Sequence, residues 1–291
     1  MTMLMEGTRV QLKNILYLTD FSEPSRAALP FAAALARAYD ASIHALHVLT
    51  PVIPATCLEA VQADEKLASA EMTKVESELA DVVHDARIAQ GVPLWPAIEQ
   101  AIQAQHIDVI VIGTHGRTHA QKLLLGSFAE EIFRRSSVPV LTIGPSVRKN
   151  MANKGLFDSV LFATDFSKPC EIAAPFAVSL AEENDARLIL LCVVVEPRTN
   201  DVRKVAITDI MEGLHHIVPD EARMWCHPVA MVKYGEAADR ILEVATERGA
   251  DLIVLGVRGA ADHLGAATHL ERATAHKVVA RARCPVLTVR G

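Results

Sequence analysis

Residues 107–136 read IDVIVIGTHGRTHAQKLLLGSFAEEIFRRS, and this stretch decides the fold. The apolar run Ile107–Ile112 ends at Gly113, which predicts a buried strand that opens into a loop. After Gly126 the chain reads as a helix, with Ser127 near its N-cap and two glutamates in its first turn. A helix N-terminus presents unpaired N–H groups that suit a phosphate. The glycines allow the backbone to approach such a ligand closely.

The spacing of these glycines carries a family resemblance. Two residues separate Gly113 from Gly116, and nine residues then lead to Gly126 and Ser127. This G-x2-G-x9-G-S spacing resembles the nucleotide-binding signature of the universal stress protein (UspA) family. It differs from a Walker A loop, because no GK[ST] follows, and from the GxGxxG dinucleotide fingerprint. The alternative interpretation is a strand–helix turn that needs glycine only for its geometry.

The chain contains two copies of one unit. Residues 14–49 (NILYLTDFSEPSRAALPFAAALARAYDASIHALHVL) match residues 159–194 (SVLFATDFSKPCEIAAPFAVSLAEENDARLILLCVV) without a gap. Further on, DVIVIG from Asp108 matches DLIVLG from Asp251, and PVLTI from Pro139 matches PVLTV from Pro285. Duplication explains these matches better than chance. The resemblance therefore covers nearly the whole chain and identifies it as a tandem universal stress protein.

We place the first domain at residues 9–146 and the second at 155–291. The length of 291 residues suits two domains of ordinary size. The stretch between them, Gly144–Gly155, is polar and rich in turn-forming residues, which is typical of a linker.

Strands and helices alternate in each copy, which predicts an α/β fold with a parallel sheet covered on both faces. In the first copy we predict strands Ile15–Thr19, Ser42–Leu49, Val83–Gln90, Val109–Ile112 and Val138–Ile143, and helices Ser25–Tyr39, Leu58–Ala80, Leu94–Gln105 and Ser127–Ser136. The second copy follows the same order, with a clearer third strand at Trp225–Tyr234. The resemblance implies two doubly wound, Rossmann-like, five-stranded domains with strand order 3-2-1-4-5. It also implies that the fifth strands, Pro139–Ile143 and Pro285–Val289, pair or pack across a pseudo-two-fold axis.

In that strand order the switch point lies between strands one and four, where ligands bind at the carboxyl ends of the strands. Asp20 ends strand one and could accept hydrogen bonds from adenine or ribose, or it could form a turn before the following helix. The resemblance assigns further nucleotide contacts to the end of strand two and to the glycine loop: Val48, Gly113, Gly116, Arg117, Gly126 and Ser127. Val48 could equally be a core valine, and Arg117 a solvated loop residue.

The second copy departs from this pattern. Asp165, Val193, Gly256 and Gly259 match the first copy and define a possible second site. Nine residues separate Gly259 from His269 and Leu270, which stand where the first copy has glycine and serine. Counting back from the last strand gives Arg272 and Ala273 instead, so neither register restores the motif. Side chains there should obstruct a phosphate. We therefore expect the second domain to bind a nucleotide weakly, to bind a ligand with fewer phosphates, or to serve as a structural partner.

Several other chemistries find little support in the sequence. The histidine pairs His44/His47, His115/His119 and His215/His216 come from different elements and match no zinc motif, so we expect structural or solvated histidines and no dedicated metal site. Magnesium could bind through the phosphates of ATP. Neither GxSxG nor a kinase signature set occurs, so we expect no catalytic residue and at most a weak ATPase.

The amino-acid composition argues against some classes of partner and some cellular locations. The net charge of −6 and the aromatic content of 4% argue against nucleic acid. The N-terminus lacks a long apolar segment and no run approaches a membrane span, which predicts a cytoplasmic protein. The five cysteines show no CxxC spacing, so reduced and mostly buried thiols are expected.

The leading hypothesis is a nucleotide-binding stress-response or signalling module that holds ATP mainly in the first domain. Two alternatives remain open: an enzyme that hydrolyses ATP slowly or transfers phosphate, and an interaction scaffold without ligand. The resemblance implies that one chain mimics the family's homodimer, and two chains could assemble further.

Overall fold

The computed structural model describes residues 10–49, 58–90, 93–114, 129, 131–132, 135–147, 157–194, 200–258 and 274–291. In the first copy the strands are β1 (Asn14–Leu18), β2 (Ser42–Leu49), β3 (His84–Gln90), β4 (Val109–Gly113) and β5 (Val140–Ile143), and the helices are α1 (Glu23–Tyr39), α2 (Leu58–Glu78) and α3 (Leu94–Ala104). Before β5, residues 129, 131–132 and 135 are helical, within the predicted helix Ser127–Ser136.

The second copy has the same order of elements. Its strands are β6 (Ser159–Thr164), β7 (Arg187–Val194), β8 (Val229–Tyr234), β9 (Leu252–Val257) and β10 (Val286–Arg290). Its helices are α4 (Lys168–Glu183), α5 (Asn200–Ile217), α6 (Arg223–Cys226), α7 (Ala237–Arg248) and α8 (Thr274–Arg281). None of the helices in the described ranges is long and apolar enough to cross a membrane.

One predicted strand is wrong at its start. We expected a strand over Trp225–Tyr234, but Trp225 and Cys226 belong to α6, and β8 begins only at Val229. His227 ends α6 in the left-handed conformation, with a φ of 39°. Pro228 follows and has no N–H to donate to a neighbouring strand. The proline therefore separates a short helix from the strand, where the apolar pattern suggested continuity.

All ten strands form a single sheet with the order β3-β2-β1-β4-β5-β10-β9-β6-β7-β8. Each half of the sheet has the predicted order 3-2-1-4-5, and within each half the described neighbours pair in parallel. The two halves meet where β5 and β10 pair antiparallel, so the predicted contact between the fifth strands is confirmed.

The pairing of β5 with β10 is symmetric. Leu141 stands opposite Leu287, Thr142 opposite Val286, and Val140 opposite Thr288. Leu141 and Leu287 are equivalent residues of the two PVLT motifs, so the pseudo-two-fold axis passes through this leucine pair. Because the central pair is antiparallel, the carboxyl ends of the parallel strands in the two halves point to opposite edges of the sheet.

Helices cover both faces of the sheet and form two apolar cores. One core contains residues of α1, α2, α4 and α5, and the other contains residues of α3, α7 and α8 together with Ala129 and Ile132. Each core therefore includes side chains from both copies. At the boundary, the Nδ2 of Asn184 donates to the hydroxyl of Tyr39 (3.2 Å), and the backbone N–H of Val10 donates to Oγ of Ser179 (2.9 Å).

Candidate functional site

The candidate site of the first copy lies at the carboxyl ends of the neighbouring strands β1 and β4. From β1 the chain continues to β2 on one side, and from β4 it continues to β5 on the other side. Leu18 of β1 pairs with Leu46 of β2, and Tyr17 pairs with Val111 of β4. Continued beyond the strands, this register sets Asp20 between Val48 on one side and Thr114 on the other. The carboxyl ends of β2, β1 and β4 are therefore neighbours at the switch point, and the ligand contacts of the residues there stay predictions.

Asp20 forms a turn. Its Oδ1 accepts hydrogen bonds from the backbone N–H of Ser22 (3.0 Å) and from the Ser22 hydroxyl (2.5 Å). Ser22 in turn is the N-cap of α1 and accepts from the N–H of Ser25 (3.4 Å). This turn is compatible with an additional ligand contact of Asp20, because a carboxylate offers about four acceptor positions. The turn occupies two of them, and a ligand contact stays a prediction.

The residue after this aspartate has an unusual backbone in both copies. Phe21 has a φ of 62° and Phe166 has a φ of 60°. For a bulky side chain this left-handed conformation costs about 1–2 kcal/mol. The N–H of Phe21 donates to Oγ1 of Thr19 (3.0 Å), and Phe166 donates in the same way to Thr164 (3.0 Å). These equivalent hydrogen bonds stabilise a sharp bend of the backbone after β1 and after β6. Each bend lies at the opening of the predicted ligand-binding crevice of its copy.

Gly113 has a packing role that the sequence did not disclose. A Cβ at this position would lie 2.2 Å from the carbonyl oxygen of Pro24, in the first turn of α1. Gly256 is equivalent, with a Cβ position 2.4 Å from the carbonyl carbon of Pro169. The start of α1 thus rests directly on the backbone of β4. This contact by itself requires glycine, so the interpretation of Gly113 as a geometric glycine has direct support, and its ligand role stays a prediction.

Val48 and Val193 are half-buried and pack against the core that contains α3 and α7. This packing is what a core valine would show, and it tests neither valine as a nucleotide contact. Five further residues of the predicted sites lie outside the described residues: Gly116, Arg117, Gly126, Ser127 and Gly259. His269 and Leu270 of the second copy lie outside them as well.

His47 lies beside the candidate site and has the structural role that the sequence favoured over a metal ligand. Its buried ring lies against Phe21, with 4.4 Å between ring centroids and 35° between planes. Nδ1 of His47 is 2.8 Å from the carbonyl oxygen of Thr19. Because a carbonyl only accepts, this bond places a proton on Nδ1. His47 therefore supports the bend from β2, and its position just before Val48 was the signal in the sequence.

The other predicted histidines have separate surroundings. His44 points to the opposite face of β2, where its Nε2 contacts Oδ1 of Asn14 (3.3 Å) and its Nδ1 pairs with Asp85. Nδ1 of His216 contacts the carbonyl of Glu212 (2.6 Å). Across the described ranges, no group of three or more histidine, cysteine or acidic residues could hold a metal ion.

Asp165 repeats the turn in the second copy, with its Oδ1 accepting from the N–H of Ser167 (3.0 Å). A second donor reaches the same oxygen, the thiol of Cys170 at 3.2 Å. Burial by itself would raise the pKa of Asp165, but the hydrogen bonds from Ser167 and Cys170 outweigh burial and hold that pKa below its usual value. Asp165 is therefore an anion at neutral pH.

A family model for the universal stress protein family matches residues 11–144 and again residues 156–290. The chain belongs to the universal stress protein family. Because the two matches together span nearly its full length, it is a tandem member with two such domains. A relative from Methanocaldococcus jannaschii, also a universal stress protein, is 30% identical and aligns with 46% of this chain and 96% of its own length.

Solved structures agree on the fold. A universal stress protein from Archaeoglobus fulgidus has a TM-score of 0.75 to this universal stress protein at 23% identity, covering 95% of this chain and 98% of its own. Another member, solved in complex with cAMP, is 21% identical with a TM-score of 0.38 and covers 47% of this chain and 98% of its own. The second comparison concerns that protein's ligand and does not locate one here.

Proposed function

We propose that this protein is an adenine-nucleotide-binding stress-response module that holds ATP mainly in its first domain. The observation that supports the proposal is the strand order β2-β1-β4, which makes neighbours of the carboxyl ends where Val48, Asp20 and Gly113 stand in the sequence. Doubly wound sheets bind their ligands at this place. The proposal adds the loop residues Gly116, Arg117, Gly126 and Ser127 as the phosphate cradle, with magnesium bound through the phosphates.

The output of such a module would be a change in assembly rather than a reaction product. ATP that orders the loop of residues 113–127 would favour one of two conformations of the surface around it. A partner, or a second copy of this chain, would respond to that difference. The proposal places the protein and its ligand in the cytoplasm.

The test compares equivalent variants of the two domains. We expect Gly116→Val to abolish binding of ATP with magnesium in calorimetric titration, because a branched side chain blocks the approach of the backbone to phosphate. Gly259→Val is the matched control and should leave the binding unchanged. Circular dichroism and the melting temperature show whether each variant is folded.

Three outcomes would contradict the proposal. Binding retained in folded Gly116→Val would overturn the placement of the phosphates. Binding lost in Gly259→Val but kept in Gly116→Val would assign ATP to the second domain. If the wild-type protein neither releases an adenine nucleotide on denaturation nor binds ATP in titration, the protein is an interaction scaffold without a nucleotide.

A further inference from the structure

The two crevices differ at the two side chains that support the bend after β1 and β6. In the first copy these are Ser25 of α1 and His47 of β2. The Oγ of Ser25 lies 3.1 Å from Oγ1 of Thr19, and Nδ1 of His47 lies 2.8 Å from the carbonyl oxygen of the same threonine. The two positions therefore converge on one residue from a helix and from a neighbouring strand.

Both positions are cysteines in the second copy. Cys170 aligns with Ser25, and Cys192 aligns with His47. Cys192 of β7 is paired in register with Thr164, the counterpart of Thr19. The two cysteines belong to the same apolar core on the same face of the sheet. The sulfur of Cys170 lies 3.9 Å from the carbonyl oxygen of Ala163 and 3.2 Å from Oδ1 of Asp165, the two residues on either side of Thr164.

Both thiols are buried near the charge of Asp165. Burial raises the pKa of Cys192 to about 11, with further contributions from the charges of Asp165 and Cys170. Burial likewise raises the pKa of Cys170, to which Asp165 also contributes. Both are protonated at neutral pH, and the Cys170 thiol donates to Asp165.

The thiols lie near the surface. Cys170 is 6% exposed and Cys192 is 4% exposed, but Asp165, which accepts from Cys170, is an exposed residue. Phe166, beside it, is 38% exposed. A small oxidant beside the exposed carboxylate of Asp165 would therefore lie close to the sulfur of Cys170, which donates to that carboxylate.

We propose that Cys170 and Cys192 form a redox-sensitive pair in the second crevice, which a peroxide converts to an intramolecular disulfide. The thiolate of one cysteine attacks a peroxide oxygen, the O–O bond breaks, and a sulfenic acid and hydroxide form. The second thiol then attacks the sulfenic sulfur, the S–S bond forms, and water leaves. In sum, two thiols and one hydrogen peroxide give one disulfide and two waters.

The disulfide would change the crevice. It removes the thiol hydrogen that Cys170 donates to Asp165, so the turn at the start of α4 loses one of its bonds. It also ties the first turn of α4 covalently to β7. The second crevice would thus respond to oxidants, whereas the first is proposed to bind a nucleotide. The inference does not depend on nucleotide binding.

The test uses the full-length protein and hydrogen peroxide. Trypsin places the two cysteines in separate peptides, 155–187 and 188–198, with one cysteine in each. After oxidation of the native protein and blocking of remaining thiols with iodoacetamide, we expect these two peptides as a cross-linked species two hydrogens lighter than their sum. The number of free thiols per chain should fall by two from five.

Matched variants locate the reaction. Cys170→Ser restores the residue of the first copy and should remove the cross-link, as should Cys192→Ser. Cys284→Ser should keep it, because Cys284 belongs to the other apolar core. A cross-link that forms only after denaturation, or oxidation of the native protein to sulfinic acid without a cross-link, would overturn the proposal.

The pH dependence is a second readout. Because the thiolate is the reactive form and both pKa values are raised, the rate of cross-linking should increase about tenfold per pH unit between pH 7 and 9. A rate that is independent of pH over this range would contradict a reaction through these buried thiols.

Discussion

At the scale of single residues, the glycines of this chain are required for different physical reasons. Gly113 and Gly256 are required by the backbone of the helix that rests on them, at 2.2 and 2.4 Å from a Cβ position. Gly249 is required by its left-handed φ of 64°, and no atom lies within 4 Å of its Cβ position.

This difference predicts unequal costs. We expect Gly113→Ala to lower the free energy of unfolding by about 2–3 kcal/mol or more, because the methyl group must displace helix backbone. Gly249→Ala, which only forces alanine into a left-handed conformation, should cost about 1 kcal/mol. Urea denaturation of both variants measures the difference. Equal losses would show that α1 shifts easily away from β4.

Asp165 makes a prediction about pH. Because the native pKa lies below the unfolded value, Asp165 contributes stability at neutral pH, and this contribution is lost as the pH falls through the native pKa. We expect Asp165→Asn to be less stable than the wild type at pH 7, with a difference that shrinks as the pH falls below about 4. Chemical denaturation of both proteins from pH 7 to pH 3 gives the difference. A difference that stays constant over this range would mean that the charge of Asp165 has no role.

At the scale of elements, the pairing of β5 with β10 joins the two domains. Two equivalent threonines lie in this pair and differ in their hydrogen bonds. Thr288 donates from Oγ1 to the carbonyl oxygen of Val140 across the boundary (3.3 Å). The hydroxyl of Thr142 is buried and has no hydrogen-bond partner in the part of the chain that the structure describes. A buried hydroxyl without a partner costs about 1–3 kcal/mol.

The two threonines therefore predict effects of opposite sign. Thr142→Val keeps the shape and removes a polar group without a partner, so it should raise the free energy of unfolding by about 1 kcal/mol. Thr288→Val removes a hydrogen bond and should lower it by a similar amount. Equilibrium unfolding of the two variants beside the wild type checks both signs. A loss of stability in Thr142→Val would indicate that its hydroxyl does have a partner.

At the scale of the whole molecule, the domains share one sheet and two cores. The boundary has no break in the packing, since each core contains side chains of both copies. Arg290, at the end of β10, donates to the carbonyl oxygen of Arg135 in the first copy (2.7 Å). Because β5 and β10 pair antiparallel, the two crevices lie at opposite edges of the sheet, too far apart for direct contact between their contents.

We therefore expect the two domains to unfold together. The chain has two tryptophans, Trp95 in the first domain and Trp225 in the second, so Trp95→Phe and Trp225→Phe each leave one local fluorescence probe. In each variant, the urea midpoint measured by tryptophan fluorescence should coincide with the midpoint measured by circular dichroism. The reason is that unfolding of shared cores is cooperative. Separate fluorescence and circular dichroism transitions within one variant would show that the domains unfold independently.

The sequence by itself determined the duplication, the order of elements and the doubly wound fold of each half. These follow from local signals: apolar runs of strand length, helix caps, and glycine or proline at the boundaries, repeated along the chain. It also identified Asp20 and Gly113 at neighbouring strand ends, because a parallel sheet brings successive carboxyl ends to one edge.

Only the tertiary structure decided what depends on contacts between distant residues. The sequence placed β8 too early, since its apolar pattern did not show that Pro228 separates a helix from the strand. The packing of Gly113 against the backbone of Pro24 also depends on a contact between distant residues, and its ligand role stays a prediction. His47 and Cys192 of neighbouring strands and Cys170 of a helix come near the bends after β1 and β6 only in the folded chain. This arrangement depends on the register between strands and on how a helix packs against the sheet, and no local sequence pattern encodes either.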